Sequence, residues 1–188
     1  MSSVPGAGIS LVFARRFSMG HRLIGGGSEA CALPHGHNEV VRVWLRPARE
    51  LPLDGQGNMV EPFERAKGRW HRFVDEHLDH ALQLGAADPL LAWFRATEPS
   101  RAARIVVLPG DPTTELMACC LLAKLSAFLR ADGGRLVCAG LAIEETPTNC
   151  VQVGADVASL LPEGAAGWWQ RPDMSVNEDV AQEEAGHG

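Results

Sequence analysis

Two alternating runs near the N-terminus, and the histidines set into them, constrain this chain more than any other feature. Gly8 to Gly20 reads as a strand, with Leu11, Phe13, Phe17, Met19 and His21 on one face and Val12, Ala14, Arg16 and Ser18 on the other. Gly36 to Arg46 reads as a second strand. Its His37, Glu39, Val41, Val43 and Leu45 alternate against Asn38, Val40, Arg42, Trp44 and Arg46. Alternate residues of a strand point the same way, so His35 and His37 share a side and His21 adds a third imidazole from the neighbouring strand. Three imidazoles that leave one coordination side open suit a catalytic zinc, whereas a structural zinc is usually closed by four ligands. A Zn2+ held by His21, His35 and His37 is therefore the first expectation.

Further along, Gly25-Gly26-Gly27-Ser28 marks a loop and Pro52 to Asn58 a turn-rich stretch. Phe63, Ala66, Trp70, Phe73, Val74, His77 and Leu78 recur at helical spacing, which predicts an amphipathic helix over about 62–82. A short helix is expected over Pro89 to Ala96, and Ala103 to Leu108 is strand-like. Pro112-Thr113-Thr114-Glu115 opens a long helix to about Arg130, with a hydroxyl at the cap and an acid in the first turn. Gly133-Gly134 breaks it. Arg135 to Glu145 is a strand and Asn149 to Val153 its hairpin partner. Strand pair, helices, strand pair implies an α+β fold: an antiparallel sheet of two hairpins with helices packed on one face. So few strands leave exposed edges, which favours sheets joined between copies of the chain. The expected organisation is a flexible N-terminus over 1–7, one domain over 8–154, and a partly disordered C-terminal extension over 155–188 in which Trp168-Trp169 would dock on the domain.

The length of 188 residues suits one domain, and the net charge of −6 argues against a general nucleic-acid binder. No apolar run is long enough to cross a membrane, and Met1 to Gly8 lacks the features of a signal peptide. The 5 cysteines are odd in number and lack the density of a disulfide scaffold, so a cytoplasmic setting is expected.

Several side chains carry candidate chemistry. Cys31 sits in a polar loop close before His35, where a dication would favour its thiolate and a role as base or nucleophile. Cys119, Cys120 and Cys138 read instead as core. Asp79-His80 puts a carboxylate beside an imidazole, a pair suited to proton transfer near neutrality. The same dipeptide also reads as a helix-end histidine favoured by the macrodipole. Glu145 falls on the apolar face of its strand with Leu141 and Ile143, where a carboxylate is costly unless paired. A ligand with two adjacent N–H donors would satisfy it, although a one-residue slip exchanges it with Glu144. Arg22, with Arg15 or Arg16, offers guanidinium for phosphate.

Taken in order, Phe17-Ser18-Met19-Gly20-His21-Arg22-Leu23, Cys31 through Asn38, Met59-Val60, Leu78-Asp79-His80, Pro112-Thr113-Thr114-Glu115 and Glu145-Thr146 resemble the 6-pyruvoyl-tetrahydropterin synthase and 6-carboxytetrahydropterin synthase family. The short gap between Cys31 and His35 is similar to the bacterial 6-carboxy branch, which feeds queuosine biosynthesis. The chain departs from the pattern at Glu39, where the family often has an aromatic, at Pro62-Phe63, at Leu116, and in the long stretch from Ala81 to Gly110.

The resemblance implies a tunnelling fold (T-fold) whose sheets join into an oligomeric barrel, commonly a homohexamer built as a dimer of trimers with active sites at subunit interfaces. It implies a zinc-dependent lyase that converts 7,8-dihydroneopterin triphosphate to 6-carboxy-5,6,7,8-tetrahydropterin, releasing acetaldehyde and triphosphate. In that scheme Glu145 and Thr146 anchor the pterin and Cys31 removes a side-chain proton. His80, oriented by Asp79, relays protons, and Arg22 meets the triphosphate. Two other readings stay open: 6-pyruvoyl-tetrahydropterin synthesis or a related pterin side-chain reaction, and a non-catalytic relative that binds zinc and pterin. The intact Cys31, Asp79 and His80 argue against the last.

Overall fold

The computed structural model describes residues 8–49, 55, 57–155, 157–161 and 167–178. The two alternating runs become β1 (Leu11–His21) and β2 (His35–Pro47), paired antiparallel from Leu11↔Leu45 to His21↔His35. The second hairpin is β5 (Leu136–Thr146) with β6 (Asn149–Gly154), and β5 joins β2 antiparallel. Inward residues alternate as expected: Phe13, Phe17, Met19, Val41, Val43, Leu45, Leu141 and Ile143 are all buried in one core. Helices cover that face of a curled sheet, which forms half of a barrel.

The helical layer comes from α2 (Phe63–Phe73) and α5 (Thr114–Ala131), preceded by a short α1 (Glu29–Ala32). Trp70 and Phe73 of α2 pack with Met117, Leu121 and Phe128 of α5 against the sheet. Each such buried side chain contributes about 2 kcal/mol of burial free energy. Thr113 caps α5 by accepting from the Leu116 amide at 3.3 Å, and Glu115 lies in the first turn.

The sequence expectation of one helix over 62–82 is corrected. α2 gives way at Val74 to a wider five-residue turn that ends at Leu78, and Asp79 is already extended. His80 takes the left-handed conformation (φ 60°), and its amide donates to the Ser18 carbonyl at 2.7 Å. The chain thereby leaves the helix and joins the sheet as β3 (Ala81–Gly85), parallel to β1 at Met19–His21. The segment that follows, α3 (Pro89–Thr97), α4 (Pro99–Ala102) and β4 (Val106–Leu108), makes the stretch up to Gly110 a structured insertion. It carries its own small core of Leu84, Leu91, Ile105 and Val107. The sheet is therefore six-stranded, in the order β4-β3-β1-β2-β5-β6, with two parallel strands added to the antiparallel four.

Past the domain, Trp168 and Trp169 are buried in the main core, as their docking role requires. The Val107 amide donates to the Val176 carbonyl at 3.0 Å, so the C-terminal segment covers the outer edge of β4. Residues 1–7 and 179–188, where flexibility or disorder is expected, lie outside the described residues. Among the described residues no helix is long and apolar enough to cross a membrane.

Candidate metal centre and active site

His21 and His35 meet at the open end of the β1–β2 pair, and His37 follows two residues on along the same face. Gly36 is required between them: a Cβ there would lie 2.5 Å from the Met19 carbonyl oxygen. The close approach of the two strands thus selects glycine and brings the three rings together. One nitrogen from each of His21, His35 and His37 lies within 4.8 Å of the others. The ring centroids are 4.5 to 5.2 Å apart.

The hydrogen bonds around two of the rings fix their tautomers. His21 Nδ1 is 2.9 Å from the Pro112 carbonyl oxygen, and His35 Nδ1 is 2.9 Å from that of Leu33. A carbonyl only accepts, so each Nδ1 carries the proton and each Nε2 presents a lone pair. Yet His21 Nε2 and His35 Nε2 stand 3.0 Å apart. Two lone pairs at that distance repel unless a cation or a proton lies between them. Burial lowers the His21 pKa, against an upward pull from the Pro112 carbonyl, which favours the neutral ligand form. Three converging imidazole nitrogens, two of them on rings braced by carbonyls, form a donor set that fits a divalent transition metal such as zinc.

A cavity of about 1060 Å³ opens beside this cluster, lined among others by His21, Gly26, Asp111, Thr114, Glu145 and Asn149. Its glycine loop is pinned where Asp111 accepts from the Gly25 amide at 2.6 Å. Glu145 faces the helical layer with Ile143, as its alternation predicted, and Thr114 donates its hydroxyl to Glu145 Oε1 at 2.6 Å. Thr114 and the Pro112 carbonyl join the candidate site through these hydrogen bonds. Their sequence signal is the Pro112-Thr113-Thr114-Glu115 run, whose hydroxyls and acid also mark a helix start.

The other expected site residues fall as follows. Cys31 lies in α1, where Ser28 caps the helix and places its hydroxyl 3.2 Å from Cys31 Sγ. It is not among the three clustered histidines, and a Cβ added at Gly27, a residue of the cavity wall, would lie 3.6 Å from Cys31 Cβ. Thr146 shapes the β5–β6 turn by accepting from the Asn149 amide at 3.0 Å. Arg22 is engaged by the buried Asp88, with Nε at 2.8 Å and Nη2 on the other oxygen. Arg15 pairs with Asp75 at 2.6 Å. Asp79 is braced on one oxygen by the Ser18 amide at 2.8 Å and meets His80 Nδ1 with the other at 2.9 Å. These contacts, the Ser18 amide first, hold the Asp79 carboxyl below its usual range. The His80 ring is 80 % exposed and does not line the cavity of its own chain.

The sequence model of the family described as 6-pyruvoyl tetrahydropterin synthase matches residues 10–156. No curated protein matches the chain. Among solved structures, an uncharacterized protein from Wolinella succinogenes is similar at 24 % identity, over 79 % of this chain and 100 % of that one, with a TM-score of 0.60. The 6-pyruvoyl tetrahydropterin synthase of Caenorhabditis elegans is similar at 24 % identity, over 78 % and 94 %, with a TM-score of 0.51. A catalytic-residue mutant of the Plasmodium vivax 6-pyruvoyltetrahydropterin synthase follows at 19 % identity, over 77 % and 96 %, with a TM-score of 0.55. These structures share the fold, and the family match takes in every element from β1 to β6: the chain belongs to the 6-pyruvoyl tetrahydropterin synthase family.

Proposed function

We propose that the chain is a zinc-dependent lyase that, with one molecule of water, converts 7,8-dihydroneopterin triphosphate to 6-carboxy-5,6,7,8-tetrahydropterin, releasing acetaldehyde and triphosphate. The observation that carries this reading is the placement of the three clustered histidines beside the cavity that also holds Glu145 and Thr114. Family membership supports pterin side-chain chemistry with loss of triphosphate. The short spacing from Cys31 to His35 favours the 6-carboxy product, while the family description favours 6-pyruvoyl-tetrahydropterin as the second reading.

His21, His35 and His37 would hold the zinc, whose Lewis acidity would acidify hydroxyls of the substrate side chain. Glu145 accepts the paired N–H donors of the pterin, with Thr114 fixing one of its oxygens and Thr146 holding the adjacent turn. Cys31 takes the side-chain proton, and the Ser28 hydroxyl donates to its sulfur at 3.2 Å. Arg22 contributes Nη1 to the triphosphate, since Asp88 occupies Nε and Nη2.

His80, steered by Asp79, acts from a neighbouring subunit, which its exposure in the single chain supports. Two free margins support the assembly this requires: among the described residues, β6 lacks an outer strand partner, and β1 is paired with β3 only at Met19–His21. The reading is a homohexamer, a dimer of trimers. Incubation of zinc-loaded protein with dihydroneopterin triphosphate, followed by mass spectrometry, tests the function. Acetaldehyde with the 6-carboxy product supports it, a 6-pyruvoyl product selects the second reading, and unchanged substrate makes the chain a non-catalytic binder.

A further inference from the structure

Glu39 is buried to 1 % exposure, and neither of its carboxyl oxygens has a hydrogen-bond partner. A buried polar group without a partner is costly, and in folded proteins such groups cluster where a ligand or reaction uses them. Its place in the sheet is specific. β2 points His35, His37 and Glu39 to the same side, and Phe17, itself 1 % exposed, stands opposite Glu39 on β1. On the other flank, β2 and β5 pair Val41 with Ile143 and Val40 with Glu144, which brings Glu39 level with Glu145. The two carboxyl groups are thus cross-strand neighbours on one face. Glu39 does not complete the metal cluster, which among the described residues gathers only the three histidines.

We infer that Glu39 is a specificity-determining residue: with Glu145 it forms a two-carboxyl floor, made for a heterocycle whose polar edge carries more hydrogen-bonding groups than one carboxylate satisfies. The inference rests on the pterin reading. The 2-amino-4-oxo edge of a pterin carries two N–H donors and, next to them, a carbonyl acceptor. Glu145 alone answers the donors, and one of its oxygens is already shared with the Thr114 hydroxyl. A second carboxyl beside it can meet the remaining group. A floor of two carboxyl groups, that of Glu39 buried, discriminates strongly against rings that leave it unmatched, because the buried group is then unpaired.

The test is fluorescence titration of the zinc-loaded full chain with neopterin, comparing wild type with Glu39→Gln, Glu39→Leu and Glu39→Phe. Zinc content and melting temperature are measured on the same samples. Glutamine keeps a hydrogen-bonding group of the same size, so Glu39→Gln should bind within about threefold of wild type, whereas Glu39→Leu and Glu39→Phe should bind at least about tenfold more weakly. All variants should keep their zinc, and the two apolar ones should melt at or above the wild-type temperature. Two apolar variants keep the test decisive if one fails to fold. Wild-type affinity in a folded, zinc-loaded Glu39→Leu or Glu39→Phe overturns the role of Glu39 and leaves the pterin reading intact. No neopterin binding by wild type overturns the pterin reading, and this inference with it.

Discussion

The indole Nε1 of Trp168 donates to the main-chain oxygen of Val107 at 2.7 Å, tying the C-terminal segment to β4. Trp168 is fully buried, packs against Phe73 of α2, and shares a core with α5 and the central strands. The extension past the last strand is therefore part of the folded unit. It closes the sheet margin that the 81–110 insertion would otherwise leave open.

Trp168→Ala should destabilise the chain by about 3–5 kcal/mol, through the cavity left and the lost indole hydrogen bond. For a chain of this size that lowers the melting temperature by roughly 10 °C. Thermal unfolding followed by circular dichroism measures it. An unchanged melting temperature would mean that the segment does not dock in solution.

Lys124 lies beneath the same segment, fully buried, and donates to the carbonyls of Trp168 and Ser175 at 3.0 Å each. Burial pushes it down from its ordinary 10.5 to about 8, and the Asp173 carboxylate opposes that only in part. The native chain then binds fewer protons than the unfolded chain between about pH 8 and 10.5, so the contribution of Lys124 becomes more favourable as pH rises through that window. The full span is on the order of 3 kcal/mol. The buried thiols of Cys120 and Cys138, pushed up by burial, act in the opposite sense, so the measurement is a difference. Urea unfolding of wild type and Lys124→Met at pH 7.5 and pH 10 should show wild type gaining relative to the variant at the higher pH. Parallel behaviour at both would contradict the burial of the ammonium group.

The histidine cluster was legible in the sequence because strand periodicity is strict. His35 and His37 had to share a side, and Glu145 had to follow Leu141 and Ile143. The end of the first long helix was not legible. It stops at a left-handed His80 with no glycine or proline to mark it, and Ala81 and Leu82 continue the apolar spacing. Strand β3 was missed for the same reason: five residues with little alternation carry too weak a signal. The bracing of His21 by Pro112 joins residues far apart in the chain, and no local pattern encodes it. The sequence marked Glu39 only as a departure from the family, and its lack of a partner emerged with the fold.

Cys31 and His80 should prove separable from the metal and from each other. Cys31→Ala and His80→Ala should each keep their zinc, because neither residue joins the three-nitrogen cluster, and each should lose activity by roughly 100-fold or more as proton-transfer groups. If His80 serves the neighbouring subunit, co-assembled mixtures of the two variants contain some intact sites and recover part of the activity. Mixed oligomers that stay inactive would place the whole site within one chain, and a strictly monomeric protein would contradict the assembly itself.

Elemental analysis of purified wild type beside His35→Ala tests directly whether the three histidines hold a metal. About one zinc per wild-type chain, with most of it lost from a folded His35→Ala, is the expected result for a three-nitrogen site. Equal zinc in the two proteins, or none in wild type after exposure to the metal, would contradict it.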